Sequence, residues 1–181
     1  MKSLTILRHA KSGWDVPVER DFDRPINARG RRGAALMGEY WRRQDWRLDW
    51  IMAWPAVGVA ETRDLVLPAA GLADMEPHWE RRVYLASAAT LLDVVRDAGA
   101  LGDHLMLVGH NPGLEDLAMM LVPADPANAA RTALEEKLPT AALVRIEADI
   151  TDWHHLREGC GRLSAFVRPR DLDAGLGPAA D

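Results

Sequence analysis

The stretch LTILRHAKS, residues 4–12, decides the fold class because it joins a buried strand to a cluster of positive charge. Its apolar first half is typical of a strand inside an α/β sheet, and we predict a strand over residues 3–8. The strand ends in Arg8 and His9, with Lys11 two residues further on. The rest of the sequence explains why two cations and an imidazole follow an apolar strand.

Strand and helix patterns alternate along the remainder of the chain. Further strand patterns cover residues 49–54, 104–109, 141–148 and 162–169. Helical patterns cover residues 28–44, 55–67, 87–99 and 112–122. Asn27 and Asn111 each stand where an N-cap residue belongs, and Pro112 suits a first helical position. This alternation predicts an α/β protein, a three-layer α/β/α sandwich with a mostly parallel central sheet.

The composition is that of one globular domain. The 181 residues are 48% hydrophobic and 27% charged, and they show neither an internal repeat nor a linker. We therefore predict one domain over residues 1–170 and a flexible tail over residues 171–181, where small and polar residues predominate. The formal net charge of -5 gives no general attraction to nucleic acid, so we expect no nucleic-acid partner.

The sequence also bears on compartment and cofactor. The single cysteine, Cys160, cannot form an internal disulfide, and no cysteine or histidine cluster has the spacing of a zinc site. No apolar segment approaches the roughly 18 residues that span a membrane, and the N-terminal apolar run is too short for a signal peptide. We expect a cytoplasmic protein with no metal, no other cofactor and no membrane association.

Two predicted strands end in histidine. TILRHAKS places His9 after the first strand, and LMLVGHNPG places His110 after the strand over residues 104–109. Ligands bind at the carboxyl ends of strands in open α/β sheets, so neighbouring strands would bring both imidazoles to one crevice with Arg8. A helix starting at Pro112 would direct the positive end of its dipole at the same crevice. Either histidine alone is typical of a surface residue, but the pair indicates a phosphoryl site, because a neutral imidazole can attack phosphorus while cations hold its oxygens.

The motifs LRHAKSGW, RPINARGRRGA and LMLVGHNPGLEDLA together resemble the histidine phosphatase superfamily, specifically its small bacterial SixA-like phosphohistidine phosphatase branch. PAVGVAET, VYLASAATLLDVV and a closing segment from LPTAALVRIE to GRLSAFVRP follow the same pattern, so the resemblance runs from about Leu4 to Arg170. It implies the phosphoglycerate mutase-like fold and a phosphatase that needs no cofactor. The mutases themselves are longer and carry insertions that this chain lacks, so a mutase reaction is a weaker interpretation.

The resemblance implies a role for each residue of the two motifs. His9 is the nucleophile that becomes transiently phosphorylated, and Arg8 binds the phosphate beside it. His110 contacts the phosphoryl oxygens and stabilises the transition state, and Asn111 belongs to the same phosphate-binding set. A nucleophilic His9 must be neutral, which the ordinary imidazole pKa of about 6.5 allows near neutral pH.

The sequence departs from the family at the expected active centre. The family stretch usually reads Ser-Pro-Ala-x-Arg-Ala-x-x-Thr, and its arginine is a second phosphate clamp. Here WPAVGVAET places Trp54 at the serine and Gly58 at the arginine. Losing such a contact can cost ~3 kcal/mol, about two orders of magnitude in rate. Three outcomes stay open: another arginine reaches in, of which Arg63 is nearest in sequence, a labile substrate tolerates the loss, or the domain binds phosphate without turnover.

The general acid has no clear match. Larger family members supply a glutamate from a later loop; here Asp15, Asp21 and Asp23 follow the first motif, although VERDFDRP is typical of a solvated charged loop. A phosphoramidate leaving group depends less on a dedicated acid than an alkyl ester does. We therefore expect a cofactor-independent phosphatase that acts on phosphohistidine of a protein or on a small phosphoester and releases inorganic phosphate. A catalytically impaired phosphate-binding or interaction domain of the same fold is the alternative.

Overall fold

The strand that opens the chain lies inside a six-stranded sheet with the order β3-β2-β4-β1-β5-β6. The computed structural model describes residues 1–14 and 17–177. The strands are β1 (Lys2–Arg8), β2 (Trp50–Ala53), β3 (His78–Trp79), β4 (His104–Gly109), β5 (Leu143–Ala148) and β6 (Gly161–Val167). The helices are α1 (Ala28–Arg43), α2 (Val57–Ala70), α3 (Ala88–Asp97), α4 (Gly113–Leu121), α5 (Ala129–Glu136) and α6 (Pro169–Leu172).

The sheet is mixed but runs mostly in one direction. β1 pairs in parallel with β4, β4 with β2, and β2 with β3. β5 is antiparallel to β1, and β6 is antiparallel to β5, so β5 is the one reversed strand of the six. The predicted mostly parallel sheet is therefore confirmed. Because β1 and β4 are direct neighbours, the chain leaves both strands at the same edge of the sheet, after Arg8 and Gly109.

Helices cover both faces of this sheet, which confirms the predicted three layers. α1 and α2 pack over one face, where Leu7 of β1 and Trp41 of α1 belong to the same apolar core. α3, α4 and α5 cover the other face, where Ile6 of β1 and Leu117 of α4 share a second core. Both β1 side chains are fully buried, and each burial of this size contributes about 1.5–3 kcal/mol to folding. The two cores thus enclose β1 from both faces of the sheet.

The two predicted helix caps have different outcomes. Asn27 caps α1, because its side-chain oxygen accepts a hydrogen bond from the backbone N–H of Gly30 at 2.8 Å. Asn111 does not cap α4, and that prediction is wrong. α4 begins at Gly113, and the Asn111 side-chain nitrogen donates instead to the carbonyl oxygen of Leu138.

The C-terminal segment returns to the start of α1. α6 follows β6 and packs on α1. Arg29 of α1 donates to the carbonyl oxygens of Leu176 and Gly177, which holds this segment in place. The last part of the predicted tail, residues 178–181, lies outside the described residues, as does Asp15. None of the helices in the described ranges is both long and apolar enough to cross a lipid bilayer.

Candidate active site

His9 and His110 lie side by side at the carboxyl edge of the sheet. β1 delivers His9 and β4 delivers His110, and the strand residues before them, Arg8 and Gly109, are registered partners. The backbone N–H of His9 donates to the carbonyl oxygen of Gly109 at 3.0 Å, which continues the pairing beyond the strand. The two imidazole ring centroids are 4.3 Å apart, with an interplanar angle of 44°. The structure thus brings together the two histidines that the sequence placed at separate strand ends.

A chain of three hydrogen bonds fixes the orientation of the His9 ring. Its Nδ1 lies 2.8 Å from the carbonyl oxygen of Ala10, which can only accept, so Nδ1 carries the proton and Nε2 keeps a lone pair. The N–H of Ala10 donates to the Thr62 hydroxyl oxygen at 2.9 Å, and that hydroxyl donates to the carbonyl oxygen of Gly58 at 2.6 Å. Thr62 is fully buried in α2. α2 therefore holds the backbone that orients the ring.

Burial keeps both imidazoles uncharged at neutral pH. Desolvation first, and then the charges of His110 and Arg8, lower the pKa of His9 to about 4. Burial also lowers the pKa of His110, which Asp21 opposes and Arg8 reinforces. A neutral imidazole is the form that can act as a nucleophile, so His9 is in the reactive state near neutrality.

Arg8 is anchored at one nitrogen and unpaired at another. Its Nη1 donates to the carbonyl oxygen of Leu138 at 2.9 Å. Arg8 Nε and His110 Nδ1 are buried and have no hydrogen-bond partner within residues 1–14 and 17–177. A buried polar group without a partner costs about 1–3 kcal/mol. Two such groups in one crevice indicate that a polar ligand completes the site.

A crevice of about 180 Å³ opens over these groups. Its charged lining, within the described part of the chain, consists of Arg8, Lys11, Arg24 and Asp21, while His9 and His110 are neutral. Two positive charges are thus in excess, which matches a dianionic phosphoryl group. The volume is below the roughly 300–1,000 Å³ of sites that enclose a whole small molecule, so the crevice fits a small group and leaves the rest of a substrate outside.

Comparison with known proteins assigns this fold to a family. No family model matches the chain. The uncharacterized protein Rv1276c of Mycobacterium tuberculosis is 30% identical over 167 residues, which cover 91% of this chain and 100% of that protein. SixA from Agrobacterium tumefaciens, which bears the name phosphohistidine phosphatase, is 26% identical over 93% of this chain and 98% of its own, with a TM-score of 0.73. The chain belongs to the histidine phosphatase superfamily, in its SixA-like branch.

A further solved structure of this family contains an anion. The protein histidine phosphatase SixA complexed with tungstate covers 94% of this chain and 99% of its own, with a TM-score of 0.73. Its 15% sequence identity shows the shared fold alone. The phosphoglycerate mutase-like fold that the motifs implied is therefore confirmed.

Arg24 brings a further arginine to the crevice. It lines the crevice together with Gly58, the residue at the position of the family arginine. Its Nε donates to the Asp21 carboxylate at 2.9 Å, its Nη1 donates to the carbonyl oxygen of Gly13 at 3.2 Å, and its guanidinium lies 3.8 Å from the ring centroid of Trp14. Arg24 opens the RPINARG motif, one of those on which the family resemblance rests, but no feature of its sequence position indicates that it reaches the crevice.

Trp54, at the family's serine position, supports the segment that carries Arg24. Its ring stacks on Tyr84 with centroids 4.4 Å apart and meets Phe22 edge-on at 5.7 Å. Phe22 is the neighbour of Asp21 in the short 3-10 turn that precedes Arg24. Both departures from the family pattern thus contact the segment that carries Arg24. Trp54 packs against Phe22 of the turn, and Gly58 leaves room for the Arg24 backbone.

Arg63, the predicted substitute, does not reach the crevice, and that prediction is wrong. Its Nη1 donates to Asp64 at 2.7 Å, and its Nη2 donates to the carbonyl oxygen of Met75 at 2.7 Å and to Glu76 at 3.1 Å. Five residues along an α-helix correspond to a rotation of about 140°. This rotation turns Arg63 away from the face of α2 that carries Gly58.

Asn111 holds a loop and does not line the crevice. Its Nδ2 donates to the carbonyl oxygen of Leu138 at 2.9 Å and to Glu115 at 3.2 Å, and Glu115 accepts from the backbone N–H of Leu138 at 2.6 Å. These bonds fix the carbonyl that anchors Arg8, so the placement does not support a direct phosphate contact by Asn111. The start of α4 is likewise absent from the described lining, which includes Gly58 in the first turn of α2.

The three candidate acids separate in the structure. Asp21 lines the crevice and pairs with Arg24. Asp23 pairs with Arg20 at 2.8 Å and is not among the lining residues. Asp15 lies outside the described residues. Across the described ranges, no group of three or more histidine, cysteine, aspartate or glutamate side chains is arranged to hold a metal ion.

Proposed function

We propose that the protein is a phosphatase that removes the phosphoryl group from phosphohistidine on a protein, through a phosphorylated His9 and without a cofactor. One observation carries this proposal. The Nδ1–H of His9 is bound to the Ala10 carbonyl oxygen, which leaves Nε2 unprotonated in a crevice that also contains Arg8, Arg24 and His110. A fixed, neutral nucleophile among cations is suited to attack on a phosphorus atom.

The first step transfers the phosphoryl group to His9. The Nε2 lone pair forms a bond to phosphorus while the bond from phosphorus to the substrate nitrogen breaks. The substrate imidazole enters protonated at its other nitrogen and leaves as neutral imidazole with that proton, so no acid in the crevice has to supply one. Arg8 and Arg24 hold the phosphoryl oxygens, and His110 contacts them from β4.

The second step releases inorganic phosphate. A water oxygen forms a bond to phosphorus while the bond from phosphorus to His9 Nε2 breaks. The electron pair returns to Nε2, and His9 is restored with its proton on Nδ1. Both protons of the water stay on the product, which leaves as dihydrogen phosphate and ionises in solvent. In the first step the phosphoryl group passes from one imidazole to another, and the leaving nitrogen departs as part of a neutral imidazole, so the reaction does not depend on a strong leaving-group acid.

The placement of the acidic residues favours phosphohistidine over an alkyl phosphoester. Asp21 is the one carboxylate in the described crevice lining, and it accepts a hydrogen bond from Arg24. We assign to Asp21 the positioning of Arg24. An alkyl ester would need an acid to protonate its leaving oxygen. Because Asp21 is bound to Arg24, it is not placed to serve as that acid.

A phosphate-binding domain without turnover is the competing function, and Gly58 is the residue that suggests it. Arg24 weakens this alternative, because it gives the crevice the further guanidinium that Gly58 lacks. The experiment is phosphate release from a phosphohistidine-bearing protein at neutral pH without added metal, with wild type compared with His9→Ala. Release that depends on His9 supports the phosphatase. A folded wild-type protein that binds phosphate and releases none would instead be the binding domain.

A further inference from the structure

A second concavity adjoins the crevice. It has a volume of about 500 Å³, and Lys11 and Thr140 line both it and the crevice. We call it the cationic groove, after the charged residues of its described lining. These are Lys11, Arg29, Lys137, Arg168, Arg170 and Glu136. A substrate whose phosphoryl group fills the smaller crevice can therefore extend directly into this groove.

The cationic groove has the opposite charge to the chain as a whole. Five of the 22 lysines and arginines line it, whereas Glu136 is the one of the 27 acidic residues found in its described lining. The complete chain has a formal net charge of -5. A local reversal of this kind concentrates anionic ligands at one place on a protein that otherwise repels them.

Most of these cations keep their charge available. Arg168 is paired with Asp171 at 2.8 Å, but Arg29 donates to uncharged backbone carbonyls. Lys11, Lys137 and Arg170 are exposed, and within residues 1–14 and 17–177 they form no ion pair. Lys11, Lys137 and Arg170 thus bring unpaired cations from three separate segments of the chain to a single groove.

The lining fits a peptide better than a nucleic acid. Among the described lining residues there is no aromatic ring on which a base could stack. Ala133, Pro139 and Pro169 give the groove apolar surface, against which the aliphatic stems of side chains can pack. Cations spread over separate elements match carboxylates spaced along an extended segment.

We infer that the cationic groove binds acidic side chains of a protein substrate, on the segment that carries the phosphohistidine. The inference rests on the proposed function and deepens it, because it specifies the substrate as a phosphohistidine flanked by glutamate or aspartate. The crevice recognises the phosphoryl group, and the groove recognises the sequence around it.

The test compares two synthetic phosphohistidine peptides, one with glutamates flanking the phosphohistidine and one with glutamines there. We expect wild type to show a kcat/KM roughly tenfold higher for the glutamate peptide at low salt, and the preference to fall within twofold at 0.5 M salt. The double variant Lys137→Glu and Arg170→Glu changes two residues outside the crevice. It should lose the preference and still hydrolyse phosphoramidate within twofold of wild type.

The matched control is the double variant Arg42→Glu and Arg47→Glu. Both arginines are exposed, and Arg42 lies about 18 Å along α1 from Gly30, at the opposite end from the groove. This variant makes the same change in net charge and should keep the preference for the glutamate peptide. If both double variants lose the preference for the glutamate peptide to the same extent, the preference is an effect of net charge alone, and the inference is overturned.

Binding to His9→Ala protein separates failure of the groove from failure of the proposed function. This variant cannot form the phosphorylated intermediate, so affinity for the two peptides can be measured whether or not wild type turns them over. Tighter binding of the glutamate peptide, lost with Lys137→Glu and Arg170→Glu, supports the groove even if no phosphate is released. Equal affinities overturn it. Inhibition by inorganic pyrophosphate is measured on the same variants. If Lys137→Glu and Arg170→Glu weaken that inhibition but leave the preference for the glutamate peptide unchanged, the groove is a site for small anions, which also contradicts the inference.

Discussion

The carbonyl oxygen of Arg24 lies 3.2 Å from the position that a Cβ atom would take at Gly58. Gly58, which stands at the position of the family arginine, is therefore packed against Arg24, which brings a guanidinium from another segment of the chain. Both line the crevice that contains His9. The change at Gly58 is thus local, and its expected effect on catalysis depends on whether Arg24 contacts the phosphoryl group.

Replacement of Arg24 is the direct test of this substitution. Arg24→Ala should lower kcat/KM for a phosphohistidine substrate by about 10²–10³-fold, the range for loss of one donor to a developing charge. Arg24→Lys should recover part of the activity, because it keeps the charge but not the two-nitrogen geometry. Arg63→Ala is the control and should stay within twofold of wild type. Loss of activity in Arg63→Ala with none in Arg24→Ala would reverse the assignment.

Restoring the family arginine should not improve the enzyme. A Cβ at Gly58 would lie 3.2 Å from the Arg24 carbonyl oxygen, which would have to shift slightly, and in van der Waals contact with the Ser12 hydroxyl oxygen at 3.4 Å. The longer arginine side chain would need further space. A new guanidinium would also lie near cations that are already present. We expect Gly58→Arg to melt at a lower temperature and to have a kcat/KM no higher than wild type, with Gly58→Ala as the steric control. A gain of tenfold or more would show that the crevice lacks a cation and that Arg24 does not supply it.

Thr62 is a positioning residue for His9. Its buried hydroxyl links the Gly58 carbonyl to the Ala10 N–H, and the Ala10 carbonyl orients the imidazole. Thr62→Val leaves the Ala10 N–H without its partner, so we expect a loss of about 1–3 kcal/mol in the free energy of unfolding and a lower kcat with little change in KM. Thr62→Ser keeps the hydroxyl and should retain kcat. Equal kcat values for both variants, measured with folded protein, would contradict this role.

His9 should make stability depend on pH in a defined direction. Its pKa falls from 6.5 to about 4 on folding, so between these values the unfolded chain binds more protons there than the folded one. Stability is therefore fully present above pH 6.5 and falls as the pH drops towards 4, by about 3 kcal/mol at most for this residue. His9→Ala should flatten the pH dependence, measured by urea unfolding, whereas His155→Ala at an exposed position should not. An imidazole titration near 6.5 for His9 by NMR would contradict the prediction.

The sequence predicted the elements whose patterns are long and clear. β4 spans the predicted residues, His104–Gly109, and α1 ends one residue before the predicted end. These segments have an unbroken apolar strand pattern in one case and a helical apolar face with an N-cap in the other. Their positions determine where His9 and His110 leave the sheet, so the pairing of the two histidines followed from sequence pattern once β1 and β4 proved to be neighbours.

Short elements and loop-borne residues could not be predicted in the same way. β3 has only two residues, too few for any periodicity to show. Arg24 lies in a charged segment whose path is set by contacts distant in sequence, among them the bridge between Ser12 and Ile26. The available signal for α5 was Asn128, which caps it by accepting from the N–H of Ala130 and Arg131. Arg63 lies on another face of α2 from Gly58, because proximity in sequence does not place two residues on one face of a helix.

The most direct test of the central claim is to trap the phosphorylated protein after a single turnover with a ³²P-labelled phosphohistidine substrate. We predict an alkali-stable, acid-labile label on Nε2 of His9, which appears before free phosphate and is absent from His9→Ala. Phosphate released with no labelled protein, or a label that persists in the His9→Ala variant, would contradict the account.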